Sequence, residues 1–236
     1  MLFRQLFDPD TSTYTYLLAD EDTREAVLID PVLEQVDRDA QLIEALGLTL
    51  VYTLETHVHA DHVTGADALR ARLGSRSVVH VEGGAACADV LVRGGDVLTV
   101  GSLSIEVRHT PGHTKGDVSY VVGDRVFTGD ALLIGGCGRT DFQQGDPGVL
   151  YDSVHGELFT LPDDTLVYPG HDYNGRRVST IAQEKEINAR LGGGRSRESF
   201  IELMKALDLP YPRRIDVSLP ANRECGRVAP TLDPSA

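Results

Sequence analysis

The chain has 236 residues, 41% of them apolar, and a formal charge of −14, enough length for one sizeable core and no clustered Lys/Arg with which to bind nucleic acid or an anionic membrane. Its longest apolar runs, such as YLLA and SYVV, fall far short of the roughly 20 residues a membrane helix needs. The start MLFRQLFDPDTST has neither the apolar run of a secretory signal nor the Arg/Ser-rich, acid-poor character of a transit peptide, so a cytosolic location is expected.

Along the chain, short apolar strands alternate with helices. TYLLAD and EAVLID read as a hairpin across the polar EDTR. Leu33, Val36, Ala40, Ile43 and Leu46 then recur at helical spacing, and Gly47 closes that helix. LTLVYTLET is a buried-type strand, residues 61–73 read as a helix stopped by Gly74, and SVVHV is a strand. DVLTV, LSIEVRHT, VSYVV and RVFTGD are four more strands with glycine-containing turns between them. A helix is predicted over 147–160, the strand TLVYP follows, and two helices are predicted over 176–191 and 196–207 with GGG between them. The Pro- and Arg-rich tail 209–236 is expected to lie irregularly on a single domain spanning 1–236. Two β-rich halves, each followed by helices, predict an α/β (α+β) fold, an αββα four-layer sandwich.

The three cysteines, Cys87, Cys137 and Cys225, are odd in number and far apart. A disulfide framework or a Cys₄ zinc site is therefore not expected, and a reducing compartment fits. Each reads first as a small buried hydrophobe.

The strongest chemical signal is THVHADH, which supplies His57, His59, Asp61 and His62 directly after a buried strand. Spacing of two in extended chain points His57 and His59 the same way. His113 in TPGHTKG, Asp130 in FTGD and His171 in YPGHDY each follow a strand and a glycine, which lets a side chain enter a crowded site. These seven residues could hold two metals: His57, His59 and His113 on one, Asp61, His62 and His171 on the other, with Asp130 bridging, an arrangement that makes a hydroxide for hydrolysis. They could equally hold one iron on two histidines and a carboxylate, with three positions open. Ligand counting leaves both open.

The order His-x-His-x-Asp-His, Gly-His, Gly-Asp, Gly-His resembles the metallo-β-lactamase superfamily over nearly the whole chain, which implies the αββα fold. Two further segments, GGCGRTDFQQG (135–145) and LPANRECG near the C-terminus, resemble the persulfide dioxygenase family, that of the mitochondrial enzyme lost in ethylmalonic encephalopathy and its bacterial relatives. The resemblance implies one Fe(II) per chain on His57, His113 and Asp130, with His59, Asp61, His62 and His171 orienting ligands and waters around it. It implies oxidation of glutathione persulfide with O₂ and water to sulfite and glutathione, and a homodimer. Glutathione carries two carboxylates, and arginine binds a carboxylate through a planar fork. Arg139 beside Asp130 is the first candidate clamp, with Asp141 holding its loop or meeting the glutathione amine. Tyr173, Arg176, Arg213 and Arg214 are further candidates, and His171 or Tyr173 would handle protons. Cys225 matches a family cysteine near the site, where it would modulate, not attack.

Three rivals remain in view. A glyoxalase II-type hydroxyacylglutathione thioesterase shares the histidine motif but uses a dinuclear site and usually a longer helical C-terminal region. A nuclease of the superfamily would need an inserted domain or a basic face. A non-enzymatic module keeping the fold would have damaged ligands, and none of the seven is missing.

Overall fold

In a computed structural model of the chain, residues 1–227 are described. One sheet runs in chain order: β1 (Leu2–Asp8), β2 (Thr13–Ala19), β3 (Glu25–Ile29), β4 (Thr49–Leu54), β5 (Arg76–His80) and β6 (Val90–Val92). Its first three strands are antiparallel, and β3 to β6 are parallel. The crossovers of those parallel pairs carry α1 (Val36–Ala45) and α2 (Ala66–Leu73). The second sheet holds β7 (Val97–Val100), β8 (Leu103–His109), β9 (Val118–Val122), β10 (Arg125–Gly129), β11 (Leu166–Pro169) and β12 (Ser179–Thr180), again neighbours in chain order. Only β10 and β11 are parallel there, and α3 (Pro147–Ser153) lies in their crossover. Helices α4 (Ile181–Ile187), α5 (Arg197–Lys205) and α6 (Ile215–Arg223) follow.

Side-chain alternation divides the interior into three layers. Tyr16, Leu18, Val27 and Ile29 of the first sheet meet Ile105, Val107, Tyr120 and Phe127 of the second. The residues between them, Leu17, Ala19, Ala26 and Leu28, face the other way onto Ala40 and Ile43 of α1 and Leu69 of α2. On the far side, Val126 and Val167 pack under Leu150, Ile181, Phe200 and Met204. Every residue of β2 is buried, as a strand covered on both faces must be. The αββα sandwich follows.

Several boundaries differ from the sequence reading. Strands β1, β6 and β12 were not among the predicted elements. The helix predicted over 61–73 begins only at Ala66, because the Thr64 hydroxyl donates to Glu55 (2.6 Å) and its N–H to Asn222 (2.8 Å), which holds 55–65 as a loop. The helix predicted over 147–160 is α3 followed by a π turn, Val154–Leu158. Of the predicted 176–191 helix only α4 forms; Ser179 and Thr180 pair with Val167 and Leu166, and Thr180 caps the helix by accepting from the Gln183 N–H (3.1 Å). The tail expected to be irregular carries α6, and residues 228–236 of it lie outside the described part. The cysteine expectation is also corrected: Cys87 and Cys225 are joined by a disulfide, a pairing that 138 residues of separation hide from a sequence reading. Cys137 is a buried free thiol whose pKa burial pushes up to about 11.

Ile105 is fully buried where the two sheets meet. Ile105→Ala is expected to lower the unfolding free energy by about 2–5 kcal/mol, read from a denaturant melt with an unchanged slope.

Candidate metal centre

The chemistry-bearing residues stand at strand ends on one side of the sandwich. His57, His59, Asp61 and His62 follow β4, His113 follows β8, Asp130 follows β10 and His171 follows β11. Glycine makes two of the approaches possible. Gly112 has φ +137°, and a Cβ there would lie 2.3 Å from the Leu150 backbone. A Cβ on Gly138 would stand 2.8 Å from both the Asp130 carbonyl and His113 Nδ1.

Ligand atoms of His57, His113 and Asp130 lie within 4.8 Å of one another. Those of His59, Asp61 and His62 form a second such group. His171 stands between them, its Nε2 3.6 Å from both Asp61 and Asp130.

Hydrogen bonds fix which nitrogen of each imidazole is open. The single proton of the Thr56 hydroxyl goes to Asp30 Oδ2 (2.8 Å), so Thr56 Oγ1 accepts from His57 Nδ1 at 3.1 Å. His113 Nδ1 donates to the Arg139 carbonyl (2.6 Å), and His171 Nδ1 to the Ser12 carbonyl (3.3 Å). In His57 and His113 the proton is on Nδ1 and the Nε2 lone pair is left for the site; burial lowers the His171 pKa, but Asp130 and Asp61 beside its Nε2 outweigh burial and raise it. Burial, with the imidazoles of His59 and His113 alongside, drives the His57 pKa well below its ordinary value and keeps the ring neutral. Burial works against charge on His59 too, but Asp30 and Glu55 overcome it and raise its pKa well above the ordinary value. Burial would raise the Asp61 pKa; His62 and His171 outweigh it and hold the carboxyl well below its usual range.

The donor set fits a transition metal. Asp130 Oδ1 is buried with no hydrogen-bond partner, a costly state that a bound cation relieves. Two imidazoles and one carboxylate on one side of a point form the facial triad of non-haem iron sites.

The triad opens into a cleft of about 880 Å³, inside the roughly 300–1,000 Å³ range of small-molecule sites. Leu133 and Ile134 supply apolar wall, and Arg139, Arg176, Arg190, Arg213 and Arg214 line it. Arg139, the first candidate clamp, has protein partners of its own. Asp141 fills its fork with two bonds, 2.6 and 2.7 Å, its guanidinium lies 4.5 Å from the Phe142 ring centre, and it donates to the Pro210 carbonyl (2.7 Å). It thereby ties the 139–142 loop to the C-terminal tail. Arg176 is held by Asp172 (2.8 Å) and Arg214 by Glu34 (2.6 Å), while Arg213 is exposed at the rim. Tyr173 is 73% exposed, its ring parallel to that of His171 at 6.2 Å. Cys225 lies behind the histidine loop, outside the cleft.

Sequence reasoning missed Asp30, Glu55, Thr56, Arg190 and Asn222. Asp30 had left a trace, a carboxylate ending the apolar run EAVLI. The others are ordinary polar residues until the fold brings them to the site.

Residues 8–171 match the family model of the metallo-beta-lactamase superfamily. The chain is 53% identical over 234 residues to the human mitochondrial persulfide dioxygenase ETHE1, covering 98% of this chain and 91% of that protein. The crystal structure of ETHE1 from Myxococcus xanthus superposes with a TM-score of 0.94 at 60% identity, covering 96% of this chain and all of that one. A hydroxyacylglutathione hydrolase from a Polaromonas species is more distant, 38% identical over 183 residues, covering 73% of this chain and 67% of that protein. The chain belongs to the metallo-β-lactamase superfamily and, within it, to the ETHE1 persulfide dioxygenase family.

Thr56→Val deletes the acceptor for His57 Nδ1 and leaves its shape. It is expected to weaken metal binding about 10–100-fold in a chelator competition, with the fold retained by circular dichroism.

Proposed function

We propose that the chain is an iron(II)-dependent persulfide dioxygenase acting on glutathione persulfide, with His57, His113 and Asp130 as the metal ligands. The observation that carries this is the approach of those three ligand atoms to within 4.8 Å, in a chain 53% identical to a persulfide dioxygenase along almost its whole length. The balanced reaction joins one persulfide, one O₂ and one water to give glutathione, sulfite and two protons. His57, His113 and Asp130 would hold the iron(II), which would supply the one-electron chemistry that lets ground-state O₂ react, with the persulfide sulfur as the net electron donor.

The chain's own groups position and enclose. Thr56 and the Arg139 carbonyl orient the two ligand imidazoles through their Nδ1 protons. His171 presents Nε2 beside Asp130, where it can hold a proton during sulfur oxidation. Tyr173 stands over His171 and bounds the cleft. For glutathione, exposed Arg213 and the Glu34-paired Arg214 receive carboxylates, and the Arg139–Asp141 pair offers the Asp141 oxygens to the α-ammonium. We propose a homodimer, which sedimentation tests; the cytosolic placement has lost the support of unpaired cysteines with the Cys87–Cys225 bond, and fractionation tests it.

The second cluster, His59, Asp61 and His62, favours one other reading, a dinuclear hydroxyacylglutathione hydrolase. It differs in needing two ions and no O₂.

His57→Ala, His113→Ala and Asp130→Ala are each expected to strip iron and abolish O₂ uptake with glutathione persulfide, read by metal analysis and an oxygen electrode. His171→Ala is expected to keep the iron and lose most of the turnover. Arg213→Ala is expected to raise KM several-fold with kcat little changed, as loss of uniform binding does. Thioester hydrolysis by a two-zinc protein without O₂ uptake would establish the hydrolase instead.

A further inference from the structure

Behind the histidine loop, on the side away from the cleft, α6 delivers one buried amide to the loop backbone. Asn222 is 4% exposed. Its Nδ2 donates one proton to the His59 carbonyl and the other to the His62 carbonyl, both at 2.8 Å, and its Oδ1 accepts from the Thr64 N–H at 2.8 Å. Three of the four hydrogen bonds an asparagine side chain can make are thus spent on one six-residue stretch. The two carbonyls bracket Asp61, so this amide sets the peptide planes that aim His59, Asp61 and His62. It shares a small buried gap with His57, His59 and Glu55.

What seats Asn222 is the end of α6. Cys225 is buried with φ +58°, a left-handed backbone uncommon outside glycine, and its N–H donates to the Asn222 carbonyl (3.0 Å). Its own carbonyl accepts from the Asp67 N–H (3.1 Å). Its side chain is bonded to Cys87 in the segment leading into β6, the two Cα atoms 5.9 Å apart, an ordinary spacing for a disulfide. A covalent bond thus joins the strand side of the molecule to a point three residues past the amide.

We propose that Asn222 is the positioning residue of the histidine loop and that the Cys87–Cys225 bond is the clamp that holds it there. Asn222 touches no ligand atom of the triad; it acts through the backbone of residues 59–64. The role rests on the metal site proposed above, since what it governs is the grip of that site on its ion.

The test compares wild type with Asn222→Ala, Asn222→Asp, Cys87→Ser and the double variant Asn222→Ala/Cys87→Ser, all loaded with iron(II) under anaerobic conditions. Two readouts besides turnover are followed: the rate of iron release to ferrozine, and the electron paramagnetic resonance line shape of the nitric oxide adduct, which reports ligand geometry. Asn222→Ala is expected to release iron at least tenfold faster and to change the line shape. Asn222→Asp keeps the acceptor for Thr64 but sets a carboxylate oxygen against two carbonyls, so it is expected to be no better than Ala. Cys87→Ser is expected to speed release several-fold, and the double variant to be no faster than Asn222→Ala, because both changes act on one grip. Should Asn222→Ala fail to fold, Asn222→Asp and Cys87→Ser carry the same comparison. Wild-type release rates and line shape in the Asn222 variants would overturn the positioning role, and a wild-type rate in Cys87→Ser, or rates that multiply in the double variant, would overturn the clamp. Failure of the wild-type protein itself to hold iron would overturn the reading of the metal site and this one with it.

Discussion

A buried carboxylate at the end of β3 organises the metal-binding end of the molecule. Asp30 is 1% exposed and accepts from the Thr56 N–H (2.7 Å), the Thr56 hydroxyl (2.8 Å) and His59 Nε2 (3.1 Å). Its own backbone is left-handed at φ +50°, and its carbonyl accepts from Thr15 (2.8 Å). Because the Thr56 proton is committed to Asp30, Thr56 can only accept from His57, and the open nitrogen of His57 is decided two bonds away from the site. One desolvated charge therefore fixes the rotation of Thr56, the tautomer of His57 and the orientation of His59. Charge-assisted bonds of this kind are the strong ones, and burial makes an unmade one costly.

Around that point the fold separates two tasks. The sheets meet in an aromatic and branched aliphatic core that includes Tyr16, Tyr120 and Phe127 and gives a rigid base. The loops leaving β4, β8, β10 and β11 carry the polar groups, and each is tied down by named hydrogen bonds. The Thr114 N–H and hydroxyl hold Asp117 at 2.7 and 2.5 Å beside His113, and Arg139 joins the loop after Asp130 to the tail. The surface is strongly acidic, yet five arginines gather at one cleft. Most are neutralised by a neighbouring acid or held on a carbonyl, and Arg213 is exposed at the rim.

The layer architecture was legible because β strands with period two and helices closed by Gly47 and Gly74 signal themselves locally. The cluster of metal-competent residues stood out for a different reason: four such side chains within six residues, and three more behind glycines at strand ends, have no packing explanation. Short edge strands such as β12 gave no signal, since two residues carry no periodicity. Where the chain departs from its local pattern, a distant partner is responsible. Thr64 is kept out of α2 by Glu55 and Asn222, and Cys225 finds Cys87 across the sheet. Asp141 holding the Arg139 loop is already a reading of the GRTDF segment; that it fills both arms of the Arg139 fork shows only in the structure.

The most direct measurement of the central claim is anomalous diffraction from crystals of the native protein, collected on both sides of the iron absorption edge. A single iron peak is expected in coordination contact with His57 Nε2, His113 Nε2 and an Asp130 oxygen. Two peaks, one of them among His59, Asp61 and His62, or density that responds at the zinc edge instead, would contradict it.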